Sequence, residues 1–351
     1  MKKNIILLLS ILIAGVFFLE IFAEKQIQEL IKRNGFTKDL ILFYDRYYKV
    51  LHHLGRLNEV DANNPSSLIF DEIGNGDSHI LVQGDSWAEQ FRLKKFQKYL
   101  QEYLNQQKQY KFVLAGTGSY SPSLMTSQLN LLRNDFNFNP DFLIAVIDQT
   151  DIGDELCRYK NLRKRVQGKI IVEPEPVESF EYNASFQIID NFKMFFSNHF
   201  ALFKIAYYLK NTITYKIKKN KYKIRCGRNQ ILAPLENGIE NHEKLYVIEV
   251  LNDYFDEAFS SSNLKKLIII THPHKRHLSN DFVLDVGTLI QEAKEKSIYR
   301  KKIKEISFSE KLKKYSDNQI NEIFIENDPY SHLNDDYFLN TFLTHILAEI
   351  D

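Results

Sequence analysis

Ile80-Leu81-Val82-Gln83-Gly84-Asp85-Ser86-Trp87 sets a short apolar run directly before a glycine-aspartate break. The run has no helical period, as in a buried parallel strand that ends in a tight turn. From 87 to 103 the apolar residues Trp87, Phe91, Leu93, Phe96, Leu100 and Tyr103 recur at helical spacing, so a helix is expected there. Ser86 then lies between the carboxyl end of a strand and the amino end of a helix, where open α/β sheets place their chemistry. The same residues also make an ordinary turn with Ser86 as the helix N-cap. Partners elsewhere in the chain decide between the two.

Near the other end stands Asn327-Asp328-Pro329-Tyr330-Ser331-His332-Leu333-Asn334. A serine hydroxyl is a poor nucleophile at neutral pH. It needs an imidazole to take its proton and a carboxylate to fix that imidazole's tautomer, and His332 and Asp328 are residues of those types.

Gly84-Asp85-Ser86 near the start, with Asp328 and His332-Leu333-Asn334 just before a last helix, resembles the SGNH (GDSL-type) hydrolase superfamily. The resemblance implies Ser86 as nucleophile, His332 as base and Asp328 as orienting acid. It also implies an oxyanion hole from the Ser86 backbone N–H, from Gly118 or Ser119 on the second strand-to-helix turn, and from Thr150 on the third. Two departures stand out. Thr150 occupies the position where the superfamily has asparagine, and Asp328 precedes His332 by four residues where the usual spacing is three. A threonine hydroxyl donates one hydrogen bond, and a loop accommodates one extra residue.

The rest of the chain supports an alternation of strands and helices. Residues 110–114 read as a second strand, with Pro122 opening the next helix to about 132. Residues 142–147 read as a third strand, ending in the acidic stretch Asp148-Gln149-Thr150-Asp151-Ile152-Gly153-Asp154-Glu155, expected as a loop. After it the alternation stops, so an insertion is placed at about 156–240. It contains the turn 173–176, an aromatic stretch at 192–209 and a basic one at 216–228. A helix at 242–259, strands at 267–270 and 303–308, a helix at 281–296 between them and a final helix at 335–350 complete the pattern. Five strands joined by helices indicate an α/β fold, a doubly wound, flavodoxin-like parallel sheet flanked by helices. His272 and His274 follow the fourth strand at the active edge, open equally to substrate contact and to a structural turn.

The amino terminus sets Lys2-Lys3 before an apolar run at 5–19. Its Ile, Leu, Val and Phe residues favour membrane insertion by about 4 to 7 kcal/mol in total. Residues 1–23 are read as a signal anchor in preference to a cleaved signal peptide, because Ile21 spoils a small-x-small cleavage site. Residues 24–77 form a helical stalk and linker, and 78–351 the hydrolase-like domain. Lysine and arginine number 46 against 45 aspartates and glutamates, which excludes a nucleic-acid-binding polycation. Cys157 and Cys226 are the only cysteines, open to a disulfide or to two buried thiols. No cysteine-histidine zinc motif is present, and no cofactor or metal is expected.

The expected function is that of a membrane-anchored, extracytoplasmic serine esterase or O-acyltransferase. The resemblance implies an acyl ester of a carbohydrate as substrate and envelope-polysaccharide machinery as the surroundings. Two other classes stay open: a weakly active or inactive domain that binds a glycan or a membrane partner, and a metal-dependent phosphoesterase built on Asp148, Asp151 and Asp154.

Overall fold

The computed structural model describes residues 14–22, 25, 38–48, 50, 51, 54, 63–173, 232–278, 283–312, 314–328 and 331–350. The chain separates into two compact units, one holding residues 66–173 and 225–351 with 50–59, the other holding 1–49, 60–65 and 174–224. In the latter, residues 14–22 are helical with Phe17, Phe18 and Phe22 exposed, and Lys38–Tyr48 is a helix with Leu40 and Tyr47 buried. Among the described residues no helix is long and apolar enough to cross a membrane. Residues 5–13 of the apolar run lie outside the described residues, as do the 192–209 and 216–228 stretches and most of the 173–176 turn.

The larger unit is built on a six-stranded sheet. Its strands are β1 (Asp71–Ile73), β2 (Ser78–Gly84), β3 (Tyr110–Leu114), β4 (Phe142–Val146), β7 (Lys266–Thr271) and β8 (Ile303–Ser307), in the order β1-β3-β2-β4-β7-β8. The five expected strands are all parallel, in the second-first-third-fourth-fifth order of flavodoxin-like sheets. β1 is an addition: it pairs antiparallel with β3 at the sheet edge. The sheet thus takes in residues upstream of 78, the expected start of the hydrolase-like domain. The hairpin β5 (Arg163–Val166) and β6 (Lys169–Val172) occupies the described start of the expected insertion.

Strand alternation divides the core between two faces. Ile80, Val82, Phe112, Leu114, Ile144 and Ile268 point to the face covered by α1 (Lys94–Gln106) and the C-terminal helical segment, where Phe96, Phe338 and Phe342 are fully buried. The opposite face carries α2 (Pro122–Phe136), α4 (Asn241–Phe259) and α5 (Val286–Lys296), with α3 (Gln149–Asp154) following β4 in the chain. A buried amide relay joins that face together. Gln83 donates to Met125 O (3.2 Å) and Gln128 Oε1 (2.7 Å), and accepts from the Tyr254 hydroxyl (3.2 Å).

Two local differences from the sequence expectation matter for the site. The single helix expected at 87–103 is broken: Ser86–Glu89 and the 3-10 turn Gln90–Arg92 end at Leu93, which is extended (φ −67°, ψ 133°). The Gln97 side chain bonds the Arg92 carbonyl (3.0 Å), while the Arg92 guanidinium holds Asp71 (2.8 Å) and the carbonyl of Gly116 (3.2 Å). The stretch expected as an acidic loop is instead α3. Asp148 caps it in a reciprocal capping box with Asp151, and a π-helical turn, Glu155–Tyr159, continues it.

Candidate active site

The site forms where β2, the switch point of the sheet, ends. Gly84 adopts φ +144°, and a Cβ there would lie 2.3 Å from the Val146 carbonyl. At Gly116 a Cβ would lie 2.3 Å from the Ala88 backbone. Only glycine lets the turns after β2, β3 and β4 crowd together at these two points. Asp85, not Ser86, is the N-cap: its Oδ1 accepts from Trp87 N (2.9 Å), which leaves Ser86 in the first helical position with its hydroxyl outside the helix.

Ser86 Oγ lies 2.7 Å from His332 Nε2, across 246 residues of sequence. His332 Nδ1 is bonded to Asp328 Oδ2, which also accepts from the His332 backbone N–H (2.9 Å). With Nδ1–H donating to the carboxylate, Nε2 is the acceptor for the serine proton; this tautomer follows from the bonding network. The structure thus brings Ser86, His332 and Asp328 into one hydrogen-bonded chain.

The extra residue between acid and histidine is absorbed by the loop's geometry. Asn327 (φ 61°) and Ser331 (φ 55°) are both left-handed. Ser331 N donates to Asp328 O (3.2 Å), and a β-bridge between Phe324 and Leu333 closes the loop. Asn334 caps the C-terminal helical segment by accepting from Tyr337 N (2.8 Å).

Gly118 sits beside the serine: a Cβ on it would lie 3.8 Å from Ser86 Cβ. Tyr120 N donates to Thr117 O (3.1 Å) across a turn with Gly118 and Ser119 at its centre, and Ser119 takes φ 62°. A positive φ at the third turn position is the signature of a type II turn, and glycine fits it best. Serine here keeps the backbone N–H and accepts the strained conformation.

Thr150 differs from expectation in its engagement. Its hydroxyl and its backbone N–H both donate to Asp148 Oδ1, each at 2.7 Å. A hydroxyl has one proton, so in this arrangement the proton is committed to the helix cap. His272 and His274, open to substrate contact or to a structural turn, are both buried. His272 is ringed by Trp87, Phe308, Phe324, Tyr337 and Phe342, with Nε2 at 3.2 Å from the Tyr337 hydroxyl. Burial pushes its pKa down to about 3, so it is a neutral ring. His274 bonds the Ser331 hydroxyl (3.1 Å) and ties the turn after β7 to the His332 loop.

Behind Ser86 lies a feature the sequence did not single out as a unit: the carboxylates of Asp85, Asp148 and Asp151 lie within 4.8 Å of one another and are buried. Burial, then the charge of Asp148, holds Asp85 well above the usual carboxylate range. Burial followed by the Asp85 charge does the same to Asp151, whose Oδ1 has no hydrogen-bond partner. Asp148 is also raised by burial, against the hydrogen bonds of Thr150 and Asp151 and the pull of His332. Asp154 stands apart on Arg158 (3.0 Å). The phosphoesterase grouping Asp148, Asp151 and Asp154 is therefore not the cluster that forms; Asp85 takes the place of Asp154. Cys157 is disulfide-bonded, and Cys226 lies outside the described residues.

No family model and no curated protein matches the chain. Among the solved structures that match is LAE5, an α/β hydrolase from the metagenome of Lake Arreo, Spain. It is 11% identical over 77% of this chain and 94% of that one, with a TM-score of 0.37. At that level the similarity fixes neither fold family nor chemistry.

Proposed function

We propose that this protein is a serine esterase or O-acyltransferase of the SGNH type. The observation that carries the reading is the hydrogen-bonded chain from Ser86 Oγ through His332 to Asp328 at the carboxyl edge of a doubly wound sheet. Nucleophile, base and orienter stand in hydrogen-bond sequence, the geometry that acyl transfer requires.

In this reading Ser86 Oγ attacks the ester carbonyl carbon as its proton passes to His332 Nε2, and Asp328 stabilises the imidazolium. The developing oxyanion is held by the backbone N–H of Ser86 and by that of Gly118 or Ser119. Collapse breaks the carbon–oxygen bond of the leaving alkoxide, which takes the proton from His332. The acyl-serine is then attacked by water, giving hydrolysis, or by a sugar hydroxyl, giving O-acyl transfer. A carbohydrate acyl ester at the cell envelope is the substrate class we favour, by analogy with the resembling superfamily. The exposed phenylalanines of the 14–22 helix, following Lys2-Lys3, support an amino-terminal anchor with the larger unit outside the cytoplasm.

One observation favours a second reading, a weakly active domain that binds envelope glycan: the Thr150 proton is turned to Asp148. A serine-directed fluorophosphonate and an acetyl-ester reporter, each used on wild type and Ser86→Ala with and without chelator, test the proposal. Labelling and turnover by wild type alone, insensitive to chelator, is the expected result. Labelling of another serine, or no labelling at all, would overturn it. Turnover lost with chelator would favour the metal-dependent alternative.

A further inference from the structure

The π-helical turn Glu155–Tyr159 follows α3 and has no part in the triad, yet two of its side chains converge on one loop. Tyr159 is fully buried, and its hydroxyl donates to the Ser119 carbonyl (2.7 Å). Glu155, also fully buried, accepts from Ser121 Oγ (2.6 Å), Ser123 Oγ (2.8 Å), Ser123 N (3.3 Å) and the Tyr246 hydroxyl (2.7 Å). A carboxylate with four donors has its lone pairs largely filled and holds its partners at charge-assisted strength. One turn of helix thereby grips the loop after β3 at residue 119 and again at 121–123.

The grip at Ser119 has a specific geometric consequence. The peptide between Ser119 and Tyr120 is held from both ends, by Tyr120 N donating to Thr117 O (3.1 Å) and by Tyr159 bonding Ser119 O. Ser119 sits at φ 62°, a conformation that serine leaves readily when unrestrained. With the following peptide fixed, the Gly118–Ser119 peptide is denied that relaxation, in a turn where a Cβ on Gly118 would lie 3.8 Å from Ser86 Cβ.

We propose that Tyr159, seconded by Glu155, is a positioning residue that locks the loop after β3 in the conformation presenting its backbone N–H to the oxyanion. The inference rests on the esterase reading. Burial keeps the Tyr159 phenol protonated, so the lock holds across the working pH range.

Tyr159→Phe removes the hydroxyl and keeps the ring. Amide hydrogen exchange at 118–120 should quicken about tenfold, with β2 amides unchanged, as for loss of one buried hydrogen bond. With the ester reporter, kcat should fall about tenfold while KM stays within about twofold, because the bond lost acts through a group engaged in the transition state. Unchanged exchange in a folded Tyr159→Phe protein would overturn the inference, as would unchanged kcat beside an active wild type. An inert, unlabelled wild type whose Tyr159→Phe variant still shows faster exchange would support the lock and overturn the esterase reading instead.

Discussion

The buried carboxylates behind Ser86 make a sharp test of the site's electrostatics. Three negative charges within 4.8 Å of one another repel by roughly 3.5 kcal/mol per pair at an effective dielectric of about 20. The three pairs together reach roughly 10 kcal/mol, comparable with a whole domain's stability, so the cluster keeps at least one proton at neutral pH. Asp151 is the natural holder. Burial and the Asp85 charge raise it, and its Oδ1 is the oxygen without a partner. The sign follows from linkage. A carboxyl raised in the folded state binds more protons there than in the unfolded chain, so its contribution to stability is fully present below the unfolded value of about 4 and is lost as pH rises through the folded one. Asp154, pushed up to about 6 by burial against the attraction of Arg158, adds a fall of the same sign in both proteins. Asp151→Asn places an amide where the proton sat, and its oxygen can still accept from Asp148 N as Oδ2 does now (2.9 Å). Urea unfolding at pH 4.5 and pH 8 should show the variant gaining on wild type between the two by roughly the repulsion of one charge pair, on the order of 3 kcal/mol. A difference between the two proteins that does not change with pH would refute the shared proton.

Three further outcomes follow from the same geometry. Asp328→Asn should lower kcat by about three to four powers of ten, because the amide no longer selects the Nδ1–H tautomer of His332; a loss under tenfold on the ester reporter would remove Asp328 from the chain. Ser119→Gly should raise stability by about 1 kcal/mol in chemical denaturation, since it relieves a left-handed serine, and a destabilised variant would mean the serine side chain is needed where it stands. Thr150→Val should cost about 1 kcal/mol of stability through the lost bond to Asp148 and leave the acylation rate within about threefold; a hundredfold slower burst phase would instead put that hydroxyl in the oxyanion hole.

The central parallel strands were legible because β2, β4 and β7 each hold a short apolar run bounded by a turn, buried on both faces, whereas the edge strand β8, Ile303-Lys304-Glu305-Ile306-Ser307, alternates buried and exposed residues. β1 had no such run. Asp71-Glu72-Ile73 is short and polar, and it is a strand only because β3 leaves its outer edge unpaired. The helix α3 lacks an apolar stripe and contains Gly153, so its acidic residues read as a loop. Its capping box was the available signal, an aspartate at the cap with another three residues on. The break at Leu93 was hidden for the opposite reason. The apolar spacing runs through it undisturbed, and the interruption is set by where Arg92 and Gln97 find their partners.

Within the site, residue type and strand order carry different amounts of information. Ser86, His332 and Asp328 could be named as candidates only together, since each alone also reads as a turn or surface residue and the resemblance to the superfamily is what couples them. The acidic cluster needed the register. β2 and β4 pair in parallel with Gly84 opposite Val146, so the residues just beyond, Asp85 and Asp148, must arrive at the same edge with nothing between them but the turns. Two strands that each end within two residues of an aspartate therefore bring two carboxylates together as soon as they are neighbours. Neighbourhood is a property of the sheet order, which no local pattern encodes. Thr150, Glu155 and Tyr159 lie one step further from the sequence. Their roles depend on side-chain direction on a helix whose phase is set by its cap, and the Asp148 cap turns Thr150 to itself while the following π turn faces Glu155 and Tyr159 to the loop after β3. The same cap that pins β4's end thus decides which hydroxyl is withheld from Ser86 and which one holds the neighbouring loop in place.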